Sequence, residues 1–206
     1  MMLRGGQSGI LFVVSAPSGA GKTSLCRGVQ ETVSCLRHSV SYTTRKPRPT
    51  EIDGVHYHFV DVSTFEKCIE ENEFLEWAKV HGHLYGTPRV WIREMTRQGI
   101  DVILDVNTQG AETLRKQAVE GVWIYILPPS FEVLRQRLQD RKSDAEAEIE
   151  RRLEKAKEEI RYYRQHDYVV VNNNYEEALR DLSAIIRAER IKTRRVNLSW
   201  IEATFV

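Results

Sequence analysis

No stretch of this 206-residue chain approaches the roughly 18 consecutive apolar residues needed to cross a bilayer, so a membrane-spanning helix is not expected. Cysteine is scarce, with only Cys26, Cys35 and Cys68. The number is odd and no two stand at C-x-x-C spacing, so neither a disulfide framework nor a zinc ribbon is indicated, and a reducing, cytoplasmic compartment fits best. An excess of charge is lacking too. Lys and Arg number 30 against 29 Asp and Glu, for a formal net charge of +1. That balance argues against a general polyanion binder and makes nucleic acid a poor default partner. Met1 to Gly9 carries one arginine and three glycines but no apolar signal core, so a flexible lead is expected there.

What the chain does have is a distinctive beginning. Ile10 to Val14 is an apolar, β-branched run with the length of a buried strand. It is followed by Ser15, Ala16, Pro17, Ser18, Gly19, Ala20, Gly21, Lys22, Thr23 and Ser24, and then by Leu25, Cys26 and Val29 at helical spacing. Strand, glycine-bearing turn, Lys-Thr and helix is the layout of a phosphate-binding loop. Backbone N–H groups converge on an anion there, the helix N-terminus adds partial positive charge, Lys22 adds a full one, and Thr23 offers a hydroxyl to Mg²⁺. The usual first glycine, five residues before Gly21, is Ala16. Alanine is tolerated there if φ stays negative and costs about 1 kcal/mol or more if it does not. An ordinary glycine-rich turn is the alternative; the spacing of Lys22 and Thr23 favours the phosphate.

From Ile10 onward, helical and strand patterns alternate, the signature of an α/β domain with a mostly parallel sheet. A helix is expected from Lys22 to about Val33 and a short strand from Ser39 to Tyr42. Pro47 and Pro49 put the cations of Ser41 to Arg48 on a loop. That loop is either a solvated basic turn or, given Arg45 and Arg48 beside the hydroxyls that precede them, a cradle for a phosphate monoester. Asp53-Gly54 turns into an expected half-buried strand over Val55 to Val60, and Ser63 with Glu66 suggests a capping box for a helix to about Glu71. Phe74 to Val80 and Leu84 to Thr87 read as strands around Gly82. This cluster of short strands makes residues 43–88 an expected inserted lobe. Within it, Glu76 between Leu75 and Trp77 reads on its own as a solvent-facing partner of a lysine.

Thr87 and Pro88 are an expected N-cap and first-turn pair for a helix ending near Gly99. Ile100 to Val106 is a buried strand whose end presents Asp105 and Asn107. Ligands bind at the carboxyl ends of parallel strands, so Asp105 should share a rim with the phosphate loop. It would hold a Mg²⁺-bound water or a ligand donor there, or cap the following turn. A helix of about Ala111 to Ala118, a strand from Val122 to Leu127 and a Ser130-capped helix to Leu138 follow. Asp140 to Ala147 shows no apolar periodicity and is expected to be a mobile loop. In the next helix, Glu146 to Tyr163, Arg152 with Glu148 one turn earlier reads as a surface ion pair. A last strand, Tyr168 to Val171, and a closing helix, Tyr175 to about Arg195, complete the pattern, and 196–206 has no assignment. His56 with His58 and His81 with His83 lack cysteines or carboxylates at tetrahedral-site spacing, which disfavours a metal site; the cysteines and tryptophans are assigned to packing.

Taken in order, several segments resemble guanylate kinases over about residues 9–195. Beyond the phosphate loop they are Ser-Tyr-Thr-Thr-Arg-Lys-Pro-Arg (41–48), Gly54 with Tyr57 and Phe59, Glu73-Phe74-Leu75-Glu76-Trp77, Tyr85-Gly86-Thr87, Leu104-Asp105-Val106 before Gln109-Gly110, and Arg137 with Arg141 and Arg152. The resemblance implies a P-loop kinase fold: a parallel sheet flanked by helices (9–42 and 89–195), an inserted small α+β GMP-binding lobe (43–88), a lid at about 137–152, and tails at 1–8 and 196–206. It implies transfer of the γ-phosphoryl group of ATP to GMP, and to dGMP, with Mg²⁺ as cofactor and no nucleic-acid or membrane partner; it leaves the oligomeric state open. By position, Ala16 to Ser24 would hold the ATP phosphates, with Lys22 on the β and γ groups and Thr23 on Mg²⁺. Ser41, Arg45, Arg48, Tyr57 and Tyr85 would hold the GMP phosphate and neighbouring groups. Glu76 would read the base, helped by Ser41 and Asp105, with Gly86 and Thr87 in the same pocket. Arg45, Arg48, Arg137, Arg141 and Arg152 would surround the transferred group. Ala16, Asn107, Lys142 and Asn173 depart from the usual pattern, Asn107 by removing a second carboxylate near Mg²⁺. A domain that has lost catalysis and binds a protein, or a P-loop kinase acting on another acceptor, are the competing readings. Intact Gly21, Lys22 and Thr23 oppose the first; Glu76, Ser41 and the tyrosine pair oppose the second.

Overall fold

The computed structural model describes residues 7–80, 82–140 and 146–206. The first strand, β1 (Leu11–Ser15), is buried at every position, as a run without polar alternation must be when helices cover both faces of a parallel sheet. In chain order there follow α1 (Lys22–Thr32), β2 (Leu36–His38), β3 (Tyr42–Thr43), β4 (His58–Phe59), α2 (Val62–Glu70), β5 (Phe74–Val80), β6 (His83–Pro88), α3 (Arg89–Arg97), β7 (Asp101–Asp105) and α4 (Thr108–Lys116). The second half contains β8 (Val122–Leu127), α5 (Phe131–Asp140), α6 (Glu146–Ile160), β9 (Tyr168–Val171), α7 (Tyr175–Arg190) and α8 (Leu198–Phe205). Among the described residues no helix is long and apolar enough to cross a membrane.

One sheet, ordered β2-β7-β1-β8-β9, is parallel throughout. Successive side chains on a strand point to opposite faces, and β1 feeds two cores accordingly. Phe12 and Val14 pack with Leu25, Val29, Leu182 and Ile186 beneath α1 and α7. Leu11 and Val13 pack with Val102, Leu104 and Leu114 beneath α3 and α4. Val14 stands in register with Asp105, so the chain leaving β1 and the chain leaving β7 emerge side by side on the carboxyl rim. The second sheet, ordered β4-β3-β6-β5, mixes one parallel pair with two antiparallel ones and closes over Phe65, Cys68 and Phe74. In its β5–β6 pair Glu76 faces Thr87 across the ladder.

The structure corrects several sequence expectations. Of the strand placed at Ser39 to Tyr42 only Tyr42 is strand: β2 ends at His38, β3 begins at Tyr42 in the other sheet, and the chain passes from one sheet to the other between them. Of Val55 to Val60 only His58 and Phe59 are strand. Asp53 bridges Tyr57 and its carboxylate accepts from Phe59 N at 2.9 Å, so a tight turn takes up the rest and leaves Val55 exposed. Asp61, rather than Ser63, caps α2 by accepting from Thr64 N at 2.7 Å, and Ser63 donates to it. Thr87 is not a cap, because its hydroxyl is engaged by Glu76; Pro88 takes the cap position and α3 begins at Arg89. The closing helix stops at Arg190, and a 3₁₀ turn at Thr193–Arg195 and α8 fill the stretch beyond. Cys35 and Trp77 are exposed instead of packed. The expected loop at Asp140 to Ala147 includes residues 141–145, and with His81 these lie outside the described residues.

The end of α7 is tied to the edge of the core by charge. Asp101 is fully buried; it accepts from Ile10 N at 2.7 Å and from Arg190 Nε at 2.7 Å. Arg190 Nη2 also donates to the carbonyls of Ser34 and Cys35 at 2.9 and 3.3 Å. Removing one partner of a buried pair strands the other, a loss of about 3 kcal/mol. Arg190→Ala should therefore lower unfolding free energy by about 3 kcal/mol in a urea titration; a change of under about 1 kcal/mol, typical of an exposed pair, would contradict the burial argument.

Candidate functional site

The loop between β1 and α1 is shaped by two glycines in the left-handed region, Gly19 at φ 96 and Gly21 at φ 88. A Cβ on Gly21 would come within 2.3 Å of Asn172 Nδ2, the atom that donates to Ala20 O at 2.7 Å and fastens the loop to the end of β9. Gly21 occupies the N-cap of α1 with no side-chain cap, so the first N–H groups of the helix are left for an anion. Ala16 is absent from the positive-φ residues, so the alanine is accommodated without backbone strain. Lys22 touches the Asp105 carboxylate, their side chains being 15% and 10% exposed. Burial lowers the pKa of the Lys22 ammonium to about 8, while Cys26, Glu159 and Glu76 act to raise it.

A cavity of about 220 Å³ lies over this loop, lined on its other sides by Val80, Asn107, Arg152, Lys155 and Glu159. Arg152 faces it and donates to Glu148 at 3.3 Å, so the expected ion pair exists within the wall of the site. Arg137 reaches the loop from behind, donating to Asn172 O at 2.8 Å and to Ala20 O at 3.5 Å. Arg141 lies outside the described residues. Asp105 does not cap the turn that follows it; Asn107 does, accepting from Gly110 N at 2.8 Å. The Thr23 hydroxyl and the Asp105 carboxylate are hard oxygen donors, the set that suits a hard divalent cation such as Mg²⁺.

The basic loop of the second sheet is organised around Glu51, which the sequence reading did not single out. Arg45 grips it with two parallel bonds of 2.9 and 2.8 Å, and Arg48 donates its backbone N–H at 2.7 Å. Burial acts to raise the Glu51 pKa, and the hydrogen bonds from Arg45 and Arg48 outweigh it, holding the carboxyl below its usual range. The Arg45 guanidinium lies 5.5 Å from the Tyr57 ring centroid, and the Tyr57 and Tyr85 rings meet edge-on at 5.9 Å. Ser41 sits at the entrance to this lobe, its carbonyl accepting from His58 N at 2.9 Å. A carboxylate three residues beyond Arg48 on a proline-bounded loop was the only available sequence signal for Glu51.

Glu76 overturns its solvent-facing reading. It is 6% exposed, it accepts the Thr87 hydroxyl, and its other oxygen lies where a Cβ on Gly110 would approach to 2.7 Å. A side chain at Gly110 would push the carboxylate out of this position. Gly86, next along the ladder from Thr87, is likewise fixed, because a Cβ there would meet Phe74 at 2.8 Å and Phe65 at 2.9 Å. Burial pushes the Glu76 carboxyl up to about 7, against the Thr87 hydrogen bond and the Lys22 charge. Glu76 thus comes within electrostatic reach of Lys22, and the phosphate loop, Asp105 and Arg152 gather on one rim with it. Asn172, Lys155 and Glu159 join that rim from positions that carried no local sequence signal.

Comparison with known proteins gives one consistent result. The family model described as guanylate kinase matches residues 8–189. A guanylate kinase of Geobacter sulfurreducens is 49% identical over 190 residues, 92% of this chain and 94% of that protein. One of Vibrio cholerae is 50% identical over 186 residues, 89% of this chain and 90% of that protein. The crystal structure of guanylate kinase from Anaplasma phagocytophilum superposes with a TM-score of 0.76 at 34% identity, covering 95% of this chain and 92% of that one.

Glu76 offers a measurement independent of any ligand. Its folded pKa of about 7 is raised above the ordinary value, so its contribution to stability is present below the unfolded pKa and lost as pH rises through 7. Glu76→Gln should therefore be more stable than the unmutated protein at pH 8, by about 1–3 kcal/mol, and the gap should close near pH 4. A carbon-13 titration that placed the Glu76 carboxyl near 4 would contradict its burial.

Proposed function

The chain belongs to the guanylate kinase family, and from that premise we propose that it transfers the γ-phosphoryl group of ATP to GMP, and to dGMP, giving ADP and GDP or dGDP, as a cytoplasmic, Mg²⁺-dependent enzyme of purine nucleotide metabolism. The observation that carries the reading is the buried Glu76 carboxylate between Thr87 and Gly110. Guanine presents N1–H and a 2-amino group side by side, and an ionised carboxylate accepts both. Adenine has a bare acceptor at N1 and no 2-amino group, so it would leave the buried carboxylate unpaired, a mismatch that discriminates by about 10⁴ or more. Thr87, Ser41 and Asp105 complete the base pocket.

The remaining residues divide between donor and acceptor. The 43–88 lobe holds GMP, and 9–42 with 89–195 form the ATP-binding core. Arg45 transfers its fork from Glu51 to the GMP phosphate, where the Arg48 guanidinium joins it, with the Tyr57 and Tyr85 hydroxyls beside them. Lys22 leaves Asp105 for the β and γ phosphates, and the N–H groups from Ala16 to Ser24 cradle them. The Thr23 hydroxyl, with Asp105 acting through water, would hold Mg²⁺, which would neutralise phosphate charge. The attacking oxygen belongs to a monoester whose second pKa is about 6, so no general base is required and positioning with charge stabilisation carries the catalysis. Arg152 faces the cavity from α6; Arg137, with Arg141, belongs to a lid of about 137–152 that excludes water as it closes.

Lys22→Ala tests the donor side. ADP release from ATP and GMP should fall by about 10³-fold or more in protein that circular dichroism shows still folded; near-normal turnover would remove the loop from the mechanism. On the acceptor side kcat/KM for GMP should drop as pH falls below about 7, because the protonated Glu76 accepts one hydrogen bond fewer, and a flat profile from pH 5.5 to 8 would contradict the role given to Glu76.

A further inference from the structure

Asn107 and Glu159 line the cavity over the phosphate loop together, and they share a second, adjoining cavity as well. Asn107 brings no charge, and its amide oxygen is committed to capping α4 through Gly110 N. Glu159 arrives from the last turn of α6, its side chain 12% exposed and its carboxylate 3.6 Å from Lys155 Nζ. That turn is held rigidly. The carbonyl of Glu159 accepts from the Tyr125 hydroxyl at 2.6 Å, and Leu153 and Ala156 earlier in the helix are buried in its packing. The Glu159 carboxylate acts electrostatically on Lys22. It is a second carboxylate facing the ATP side, beyond Asp105, and the mechanism above leaves it without a task.

We propose that Glu159 is a positioning residue for the metal-bound nucleotide: its carboxylate accepts hydrogen bonds from the water shell of the divalent cation that accompanies ATP, supplying from α6 the negative charge that Asn107 does not. This rests on reading the loop as the ATP site. Small hard cations keep much of their hydration and are commonly held through carboxylates acting on that water. The sign of the effect separates this role from that of a surface pair with Lys155. Toward a bare polyphosphate the Glu159 charge is repulsive; with metal bound, its attraction to the hydrated cation offsets that repulsion.

The test is calorimetric ATP binding to the full chain with and without Mg²⁺, for the unmutated protein, Glu159→Gln, and Glu159→Gln combined with Asn107→Asp. Aspartate at 107 keeps the acceptor that caps α4 and adds a carboxylate to the same cavity. Glu159→Gln should bind metal-free ATP as tightly or more tightly, while the gain in affinity on adding Mg²⁺ falls about tenfold; Asn107→Asp should restore much of that gain. GMP affinity should be unchanged. An equal Mg²⁺ gain in the unmutated protein and Glu159→Gln overturns the proposal, as does a parallel weakening with and without metal, which marks a structural role. Absence of ATP binding by the unmutated protein under both conditions overturns the reading of the loop and this proposal with it.

Discussion

A carboxylate held out of water governs the arrangement of this site. Glu76 can be buried only because β5 pairs with β6 in the register that sets Thr87 opposite it, and because α4 offers Gly110 where any side chain would collide. The same register fixes Gly86 against Phe74 and Phe65, so the core of the small sheet and the buried Glu76 carboxylate are a single packing solution. Ionising a carboxyl in that setting is costly, which is why its pKa rises to about 7. The cost is offset when two donors arrive together, and that condition describes guanine better than the other common bases.

A second regularity links the two halves of the site. Two of the cations assigned to phosphate already have carboxylate partners: Lys22 touches Asp105, and Arg45 grips Glu51. Buried or half-buried cations without partners would be expensive, and each partner can be exchanged for a phosphate oxygen of the same charge sign and similar hydrogen-bonding capacity. The parallel sheet sets the distances for the donor half, since β1 and β7 lie side by side and deliver Lys22 and Asp105 to one rim. The small sheet does the same for Arg45 and Glu51 through the turn that follows β3.

The parts legible in the sequence are those whose cause is local. The apolar run of β1, the two left-handed glycines and the helix opening at Lys22 each depend on neighbouring residues, and the structure follows that reading closely. The strands of the lobe were harder, because β3 and β4 are two residues long and are defined by what they pair with. Glu76 could be recognised by its motif but not as buried, since burial depends on β6 and α4. Glu51 and Glu159 were missed because a charged residue on a polar loop or an amphipathic helix looks the same whether it faces solvent or a ligand. The helix α8 had a signal that was overlooked: Asn197 caps it by accepting from Trp200 N at 3.2 Å, and Leu198, Ile201 and Phe205 follow at helical spacing.

The central claim is that one buried carboxylate reads the acceptor base by receiving two adjacent donors. It is tested most directly by comparing equilibrium binding of GMP and IMP, which lacks only the 2-amino group, to the unmutated protein at pH 8. The account predicts that GMP binds more tightly by about tenfold or more, because IMP leaves one Glu76 oxygen desolvated and unpaired. Equal affinity for the two nucleotides would contradict it.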